Sequence, residues 1–254
     1  MAGTDRYDEI DAARGVAILM MILFHTLFDL SFFHAYPVDV ATGFWRYFAF
    51  ATASLFLFIV GISLTISHAR EAERLAGNPK RQHRIAVKYL KRGTGILTCG
   101  LLVTFATWLY LREGFVIFGI LQLIGVSIIL APFFFRFRRY NLLIGAICIG
   151  TGIVLVAAGV TGPAWLLWLG IHPSSFTSVD YTPLLPWGGI VLIGMGAGEQ
   201  LYPKGKRSFA VPHLPIFIVG PLALLGRHSL AIYLLHQPVI LILLQLVIGM
   251  PVLG

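Results

Sequence analysis

The chain has 254 residues, of which 57% are apolar and only 12% are charged, and its mean hydropathy is +0.84. Soluble domains are about 45–50% apolar and about 25% charged, so this composition excludes an ordinary soluble domain and a disordered chain and indicates a protein of the lipid bilayer. The formal net charge of +8 fits the basic side of a membrane protein, and we expect no nucleic-acid partner. Cys99 and Cys148 lie in apolar runs and are expected to be small buried hydrophobes.

Hydrophobic runs separated by charged or Pro- and Gly-rich breaks predict seven membrane-spanning helices in one bundle. The first run follows a polar N-terminus without a signal-peptide cleavage site and is expected to be a helix of the mature protein. The predicted spans are residues 10–33, 44–67, 93–111, 115–135, 141–160, 184–201 and 229–250. Residues 209–225 are apolar but contain Pro212, Pro215 and Pro221, which favours an interfacial or broken helix over an eighth span. We therefore expect an all-α polytopic membrane protein with a single domain over residues 1–254.

The distribution of basic residues predicts the orientation of these spans. With the N-terminus in the cytoplasm, 17 of the 19 Lys and Arg residues fall on cytoplasmic segments, and only Arg46 and Arg112 fall outside. This asymmetry predicts a cytoplasmic N-terminus in a multi-pass protein of the cell membrane. The outer loop 161–183 contains no Lys or Arg, and its length is typical of loops that are functional or cover a site.

Ionisable side chains in the first span predict a site, because each costs about 2.5–3.5 kcal/mol to insert into the membrane. Asp11, Arg14, His25 and Asp29 recur at helical spacing and form one stripe. His25 and Asp29 are four residues apart and are predicted to touch, so that the carboxylate fixes the imidazole tautomer. The alternative is a hydrogen bond that only locks the helix into the bundle.

Three later segments also place polar groups at membrane depth. Gln122 is either an interhelical hydrogen bond or part of a site. His228 and His236 lie on roughly one helix face before Pro238, whose break in the hydrogen-bond ladder is more usual at a cavity than in lipid contact. Asp180 is either part of a proline-stiffened helix entry or an outward-facing group that holds an acceptor above the stripe of the first span.

Five segments carry a resemblance to a known family. They are, in chain order, IDAARGVAILMMILFHTLFD, SLFLFIVGISL, FGILQLIGVS, DYTPLLPW and LGRHSLAIYLLHQPV. The first resembles the opening helix of the transmembrane acetyltransferases, with an acidic residue, an Arg-Gly pair and a following histidine. The chain looks most like the compact prokaryotic members of the heparan-alpha-glucosaminide N-acetyltransferase catalytic-domain family, and less like the acyltransferase-three family of polysaccharide O-acetylases.

The resemblance implies an acyltransferase that takes acetyl from cytosolic acetyl-CoA, as co-substrate, and delivers it to a sugar amine or hydroxyl on the outer side. His25 matches the acyltransferase-three histidine, whereas the catalytic histidine of the lysosomal enzyme falls nearer His34. Both are candidate catalytic residues, His25 being preferred, and Asp29 and Asp180 join them. Candidate residues for binding the CoA co-substrate are Arg14, Gln122, Arg227, His228 and His236.

Other function classes stay open at this point. A proton-coupled transporter would use His25 and Asp29 as a relay. A b-type haem would use His25 and His236 as its axial pair. Beyond His25 and Asp29, no close His, Cys and carboxylate set appears at metal-ligand spacing, so no metal site is expected. The expected partners are acetyl-CoA, a carbohydrate acceptor and the bilayer, and the oligomeric state is open, with a homo-oligomer as one option.

Overall fold

The structure, a computed structural model, describes residues 6–211 and 215–249. These residues are all-helical, and the extended segments among them form isolated bridges only. The helices are α1 (Asp8–Phe32), α2 (Gly43–Arg74), α3 (Arg81–Leu111), α4 (Ile120–Phe134), α5 (Asn141–Ala157), α6 (Gly189–Leu201), α7 (Ile216–Arg227) and α8 (Ser229–Ile248).

Five helical stretches of the described chain are long and apolar enough to cross a membrane. Three are α1, α2 and α3, the fourth is the run Ile120–Ala157, and the fifth is Ser229–Val247 in α8. The fourth run comprises α4, a 3-10 turn and α5, and the backbone at Arg138 (φ 47, ψ −121) interrupts it. The fold is thus a membrane-type helical fold, and seven crossings stay a prediction.

The predicted ends of several spans agree with the structure to within a few residues, but three predicted boundaries differ. The basic segment 67–92 separates the second and third predicted spans, whereas α2 continues to Arg74 and α3 begins at Arg81. Arg, Lys and Glu are good helix formers, so the helices continue past their apolar part. The buried Glu71 on α2 accepts a hydrogen bond from Arg74 on the same helix (2.5 Å). It also accepts one from Lys88 on α3 (2.7 Å), which joins the two extensions.

The third boundary that differs is the start of the fourth span, which was expected at residue 115. Residues before α4 are extended and pair with the loop that precedes α6, because Val179 N–H donates to the Gly114 carbonyl (2.8 Å) and Thr182 N–H to the Phe118 carbonyl (2.7 Å). The helix therefore begins only at Ile120.

Part of the proline-rich region 209–225 is helical, and that helix is not broken. Helix α7 follows Pro215 and contains Pro221. With 12 residues it is about 18 Å long, which is too short to cross a hydrocarbon core of about 30 Å. Pro212 lies outside the described residues, as does Met250 at the predicted end of the last span.

The chain divides into two compact units, the first formed by Met1–Phe56 with Val211–Gly254 and the second by Leu57–Ala210. The expectation of a single domain over residues 1–254 stays a prediction. In the first unit α1 packs on α7 and α8. A Cβ atom at Gly15 would lie 2.0 Å from the Leu222 carbonyl oxygen, and one at Gly226 would lie 1.8 Å from the Asp11 carbonyl oxygen. Only glycine permits this approach of two helix backbones.

In the second unit α3 packs on α4, and α5 packs on α6. Its most buried side chains are largely aliphatic, including Leu64, Leu123, Ile128 and Val191. This close apolar packing fixes the helices of the second unit, which contains some of the polar groups described below.

Candidate functional site

Four polar side chains meet between α1 and α8 in the first unit, and we call them the α1/α8 cluster: His25, Asp29, His236 and Gln237. Asp29 is only 2% exposed and His236 9%, while His25 and Gln237 are half-buried. Polar groups in such a setting need hydrogen-bond partners, and each of the four has at least one within the cluster.

The hydrogen bonds of the two histidines assign their tautomers. His25 Nδ1 lies 3.0 Å from the Met21 carbonyl oxygen, and His236 Nδ1 lies 2.6 Å from the Tyr233 carbonyl oxygen. A carbonyl only accepts, so each neutral ring carries its proton on Nδ1. The Nδ1–H of His25 also faces the Nε2 acceptor of His236 at 3.3 Å. The Nε2 atom of His25 therefore keeps its lone pair, with no hydrogen-bond partner among the described residues.

Asp29 does not bond to His25, so the predicted contact between these two side chains is wrong. Both carboxylate oxygens of Asp29 accept from the Gln237 amide, at 2.7 and 2.8 Å, while the His25 ring turns to Met21 and His236. One amide nitrogen offers two N–H groups to a carboxylate, which the single N–H of a neutral imidazole cannot match. The other amide atom, Gln237 Oε1, is buried without a partner in the described part of the chain.

Gln237 was not among the residues predicted for the site. The signal was its place beside His236 in an otherwise apolar helix. Its partner on α1 lies 208 residues away in sequence, a distance at which helical spacing carries no information.

The N-terminal end of α1 carries a second polar group, the paired-charge cluster of Asp8, Asp11, Arg14 and Arg227. Arg14 donates to Asp11 at 2.7 Å, and Arg227 at the end of α7 donates to Asp8 at 2.6 Å and to Asp11 at 3.4 Å. Two guanidinium groups thus face two carboxylates. Arg14 and Arg227, both predicted to bind CoA phosphates, already share their charge with acids. Along α1, Arg14 and His25 are separated by about 16 Å.

The other two candidate histidines lie at helix ends. His34 is exposed in the turn after α1, with φ 57, and His228 is exposed between α7 and α8, where its Nδ1 lies 3.0 Å from the Leu224 carbonyl oxygen. Neither has a hydrogen bond to the α1/α8 cluster within the described ranges. Of the four candidate histidines, the structure brings His25 and His236 together.

Gln122 lies in the second unit and locks α3 to α4. Its Nε2 donates to the Gly100 carbonyl (2.9 Å) and to the Thr104 hydroxyl (2.7 Å), and its Oε1 accepts from the Gly119 N–H (3.1 Å). Both amide hydrogens are used, so the structure favours the interhelical interpretation of this residue over CoA binding.

Asp180 also has a structural role in the second unit, at the N-terminus of α4. Its Oδ1 accepts from the Thr182 hydroxyl at 2.8 Å, and its Oδ2 accepts from the Ile120 N–H at 3.4 Å. A carboxylate is favoured at a helix N-terminus because the first N–H groups have no partner within the helix. Removal from water raises the pKa of Asp180, and the bonds from Thr182 and Ile120 oppose that rise. Its predicted role toward an acceptor stays a prediction.

The loop before α6 is ordered by side chains that bond to its own backbone. The Tyr181 hydroxyl donates to the Leu167 carbonyl at 2.7 Å, and burial raises the pKa of Tyr181 to about 12. Ser178 donates to the Phe115 carbonyl at 2.8 Å. The long segment that the sequence singled out is therefore a structured loop.

The geometry of the histidine pair contradicts the haem alternative. The ring centroids of His25 and His236 are 4.8 Å apart and the two rings share a hydrogen bond, whereas axial ligands must face each other across the haem plane. Among the described residues, no group of three or more His, Cys, Asp or Glu side chains could hold a metal ion.

Comparison with known proteins gives one match. The family described as "Heparan-alpha-glucosaminide N-acetyltransferase, catalytic" matches residues 6–238. This range covers most of the chain and contains all four residues of the α1/α8 cluster. No curated protein and no solved structure matches the chain.

Proposed function

The chain belongs to the heparan-alpha-glucosaminide N-acetyltransferase catalytic-domain family, and we propose that it moves acetyl from acetyl-CoA to a sugar acceptor across a membrane. The family and the apolar helices make it a membrane acetyltransferase. The proposal adds the donor, the sugar hydroxyl or amine as acceptor, and the residues that act.

The observation that carries the catalytic assignment is the free Nε2 lone pair of His25. As a general base, Nε2 takes the proton from the acceptor hydroxyl or amine, whose oxygen or nitrogen attacks the thioester carbonyl carbon. The C–S bond then breaks, and the proton passes from His25 to the CoA thiolate. If the acetyl group is instead carried on the enzyme, the same lone pair is the nucleophile.

The other residues of the α1/α8 cluster support His25 in this proposal. His236 positions the ring by accepting the shared Nδ1–H, together with the Met21 carbonyl. Asp29, held by Gln237, lies one helical turn from His25 and stabilises the imidazolium through space rather than by contact. His34 is the alternative catalytic histidine, and its exposed position after α1 gives it no such support.

The donor phosphates are proposed to approach the paired-charge cluster. Arg14 and Arg227 supply guanidinium groups, which match phosphate geometry. Their ion pairs with Asp8 and Asp11 would be shared with the ligand, so we expect moderate affinity. The basic asymmetry of the sequence supports a cytoplasmic position for this end of α1, with seven crossings in all.

The transporter alternative depends on a direct relay between His25 and Asp29. The structure gives these side chains different partners, and the family is one of acetyltransferases. We therefore propose no transport function.

Sided turnover tests the proposal. The purified protein is reconstituted in vesicles of defined orientation, radiolabelled acetyl-CoA is supplied on one side, and hexosamine or neutral hexose oligosaccharides are supplied on the other. We expect label on the acceptor in the wild type and in His34→Ala, and none in His25→Ala. Loss of transfer in His34→Ala with full transfer in His25→Ala would move the catalytic role to His34. No acetyl transfer by the wild type to any sugar would refute the proposed function.

A further inference from the structure

A cavity lies in the second unit beside the C-terminal part of α2, and no residue of the α1/α8 cluster lines it. Its volume is about 550 Å³, within the range of about 300–1,000 Å³ that is usual for small-molecule sites. Four cationic side chains contribute to its wall: Arg81, Arg138, Lys204 and Lys206.

The acids in the same wall compensate only part of this charge. Glu199 is paired with Arg138, whose Nε lies 2.7 Å from a carboxylate oxygen, and Glu73 is the other acid. Arg81, Lys204 and Lys206 have no ion pair within the described ranges. The wall therefore has an excess of positive charge, and its cations converge from α3, from the turn between α4 and α5 and from the turn after α6.

His68 and Phe135 form a flat part of the wall. Their rings stack with centroids 3.8 Å apart and an interplanar angle of 9°. His68 Nδ1 is buried without a hydrogen-bond partner in the described part of the chain. Buried polar atoms are nearly always satisfied, so an orphan in a cavity wall indicates a missing partner.

The backbone of the wall is strained at two of its cations. Arg138 has φ 47 and Lys204 has φ 54, a left-handed region that residues other than glycine rarely adopt. Such strain clusters at ligand-binding sites, where the surrounding structure maintains it. It is an observation independent of the charge.

We propose that this cavity binds the phosphate groups of a ligand. Several cations and a polar imidazole beside a flat surface are the chemistry that phosphates require. A soluble phosphorylated compound other than the acetyl donor and the headgroup of an anionic phospholipid are the two sources of that chemistry. The inference goes beyond the proposed function and does not need it, because the cavity contains none of the residues assigned to acetyl transfer.

The test measures binding of three probes to the full chain purified in detergent. Inorganic pyrophosphate and CoA are titrated calorimetrically, and retention of phosphatidylglycerol against phosphatidylcholine is measured by native mass spectrometry. The test variant combines Lys204→Gln with Lys206→Gln. The matched control combines Lys80→Gln with Arg84→Gln, which removes the same charge from exposed residues outside the cavity.

We expect the test variant to bind pyrophosphate at least about tenfold more weakly than the wild type, and the control to bind it unchanged. Loss of pyrophosphate binding with phosphatidylglycerol retention unchanged would identify a soluble ligand, and loss of both would identify a lipid headgroup. CoA binding is expected to be unchanged in the test variant, because the CoA phosphates are assigned to Arg14 and Arg227, and a parallel loss of CoA binding would overturn the claim of a separate site. Equal pyrophosphate binding by the test variant and the control, or binding of neither pyrophosphate nor phosphatidylglycerol by the wild type, would overturn the proposal. If the double variant fails to fold, the single variant Arg81→Gln is compared with Lys80→Gln under the same criteria.

The acetyltransferase assay is separate from this test. The thioester can turn over while the cavity binds neither pyrophosphate nor phosphatidylglycerol, and these two probes can bind while no acetyl moves. Arg227→Gln, which alters the paired-charge cluster, is expected to leave pyrophosphate binding at the cavity unchanged.

Discussion

Replacing Gln237 by leucine removes both hydrogen bonds that the Asp29 carboxylate receives from α8. These bonds are 2.7 and 2.8 Å long, and Asp29 is 2% exposed, so the variant leaves a buried carboxylate without another side-chain donor in the described part of the chain. Leaving a buried charged acceptor without its hydrogen-bond donors costs about 3 kcal/mol or more. For a chain of this size that cost corresponds to a fall in Tm of roughly 10 °C.

The assay is thermal unfolding of the purified protein in one detergent at pH 7. Gln245→Leu is the matched control, because Gln245 lies on the same helix and its side chain has no hydrogen bond among the described residues. The double variant Asp29→Leu with Gln237→Leu is expected to recover most of the loss, since no charge is then left unpaired. Equal unfolding temperatures for Gln237→Leu and Gln245→Leu, or a double variant less stable than Gln237→Leu, would refute this prediction.

Two further predictions concern the packing of α1 on α7 and the cap of α4. Gly226→Ala is expected to destabilise the fold by about 1–3 kcal/mol, because its Cβ would lie 1.8 Å from the Asp11 carbonyl oxygen. The Cβ of Gly220→Ala would meet nothing within 4 Å, so this variant should gain up to about 1 kcal/mol from helix propensity. Equal Tm values for the two variants would contradict this packing. Because the pKa of Asp180 is raised in the folded protein, its ionised form costs stability above the ordinary Asp pKa of about 3.9. Asn keeps an acceptor for Thr182, so Asp180→Asn should have a higher Tm than the wild type at pH 8, with an advantage that shrinks as the pH falls toward 4. An advantage that grows on acidification would show that the sign is wrong.

The course of α1 could be predicted from the sequence because it depends on local properties. An apolar run and a stripe at helical spacing predicted residues 10–33, and the helix covers Asp8–Phe32. The same spacing predicted that Asp11 and Arg14 lie within reach of each other, and they form an ion pair.

The partners of the α1 side chains depend on contacts across the whole chain. His25 and Asp29 were expected to bond because they are four residues apart. In the structure His25 bonds to His236 and Asp29 accepts from Gln237, both on α8. The contact between Arg227 and Asp11 likewise joins residues 216 positions apart. Helical periodicity shows which face of a helix is polar, and it does not show which helix covers that face.

The basic segment after α2 shows a different limit of sequence reasoning. Its residues lie outside the predicted spans, whereas they continue two helices beyond their apolar parts. The stacking of His68 on Phe135 and its unpartnered Nδ1 indicate a role in a cavity, and neither follows from the position of His68 after the second predicted span.

The proposed chemistry depends most on the lone pair of His25, and restoration of activity by added imidazole tests it directly. The measurement is the rate of CoA release from acetyl-CoA in the presence of a sugar acceptor, for the wild type, His25→Ala and His34→Ala. We expect His25→Ala to lose at least about 100-fold of the wild-type rate, as is typical for a general base, and to regain part of it with imidazole. Full activity of His25→Ala without imidazole would contradict the account.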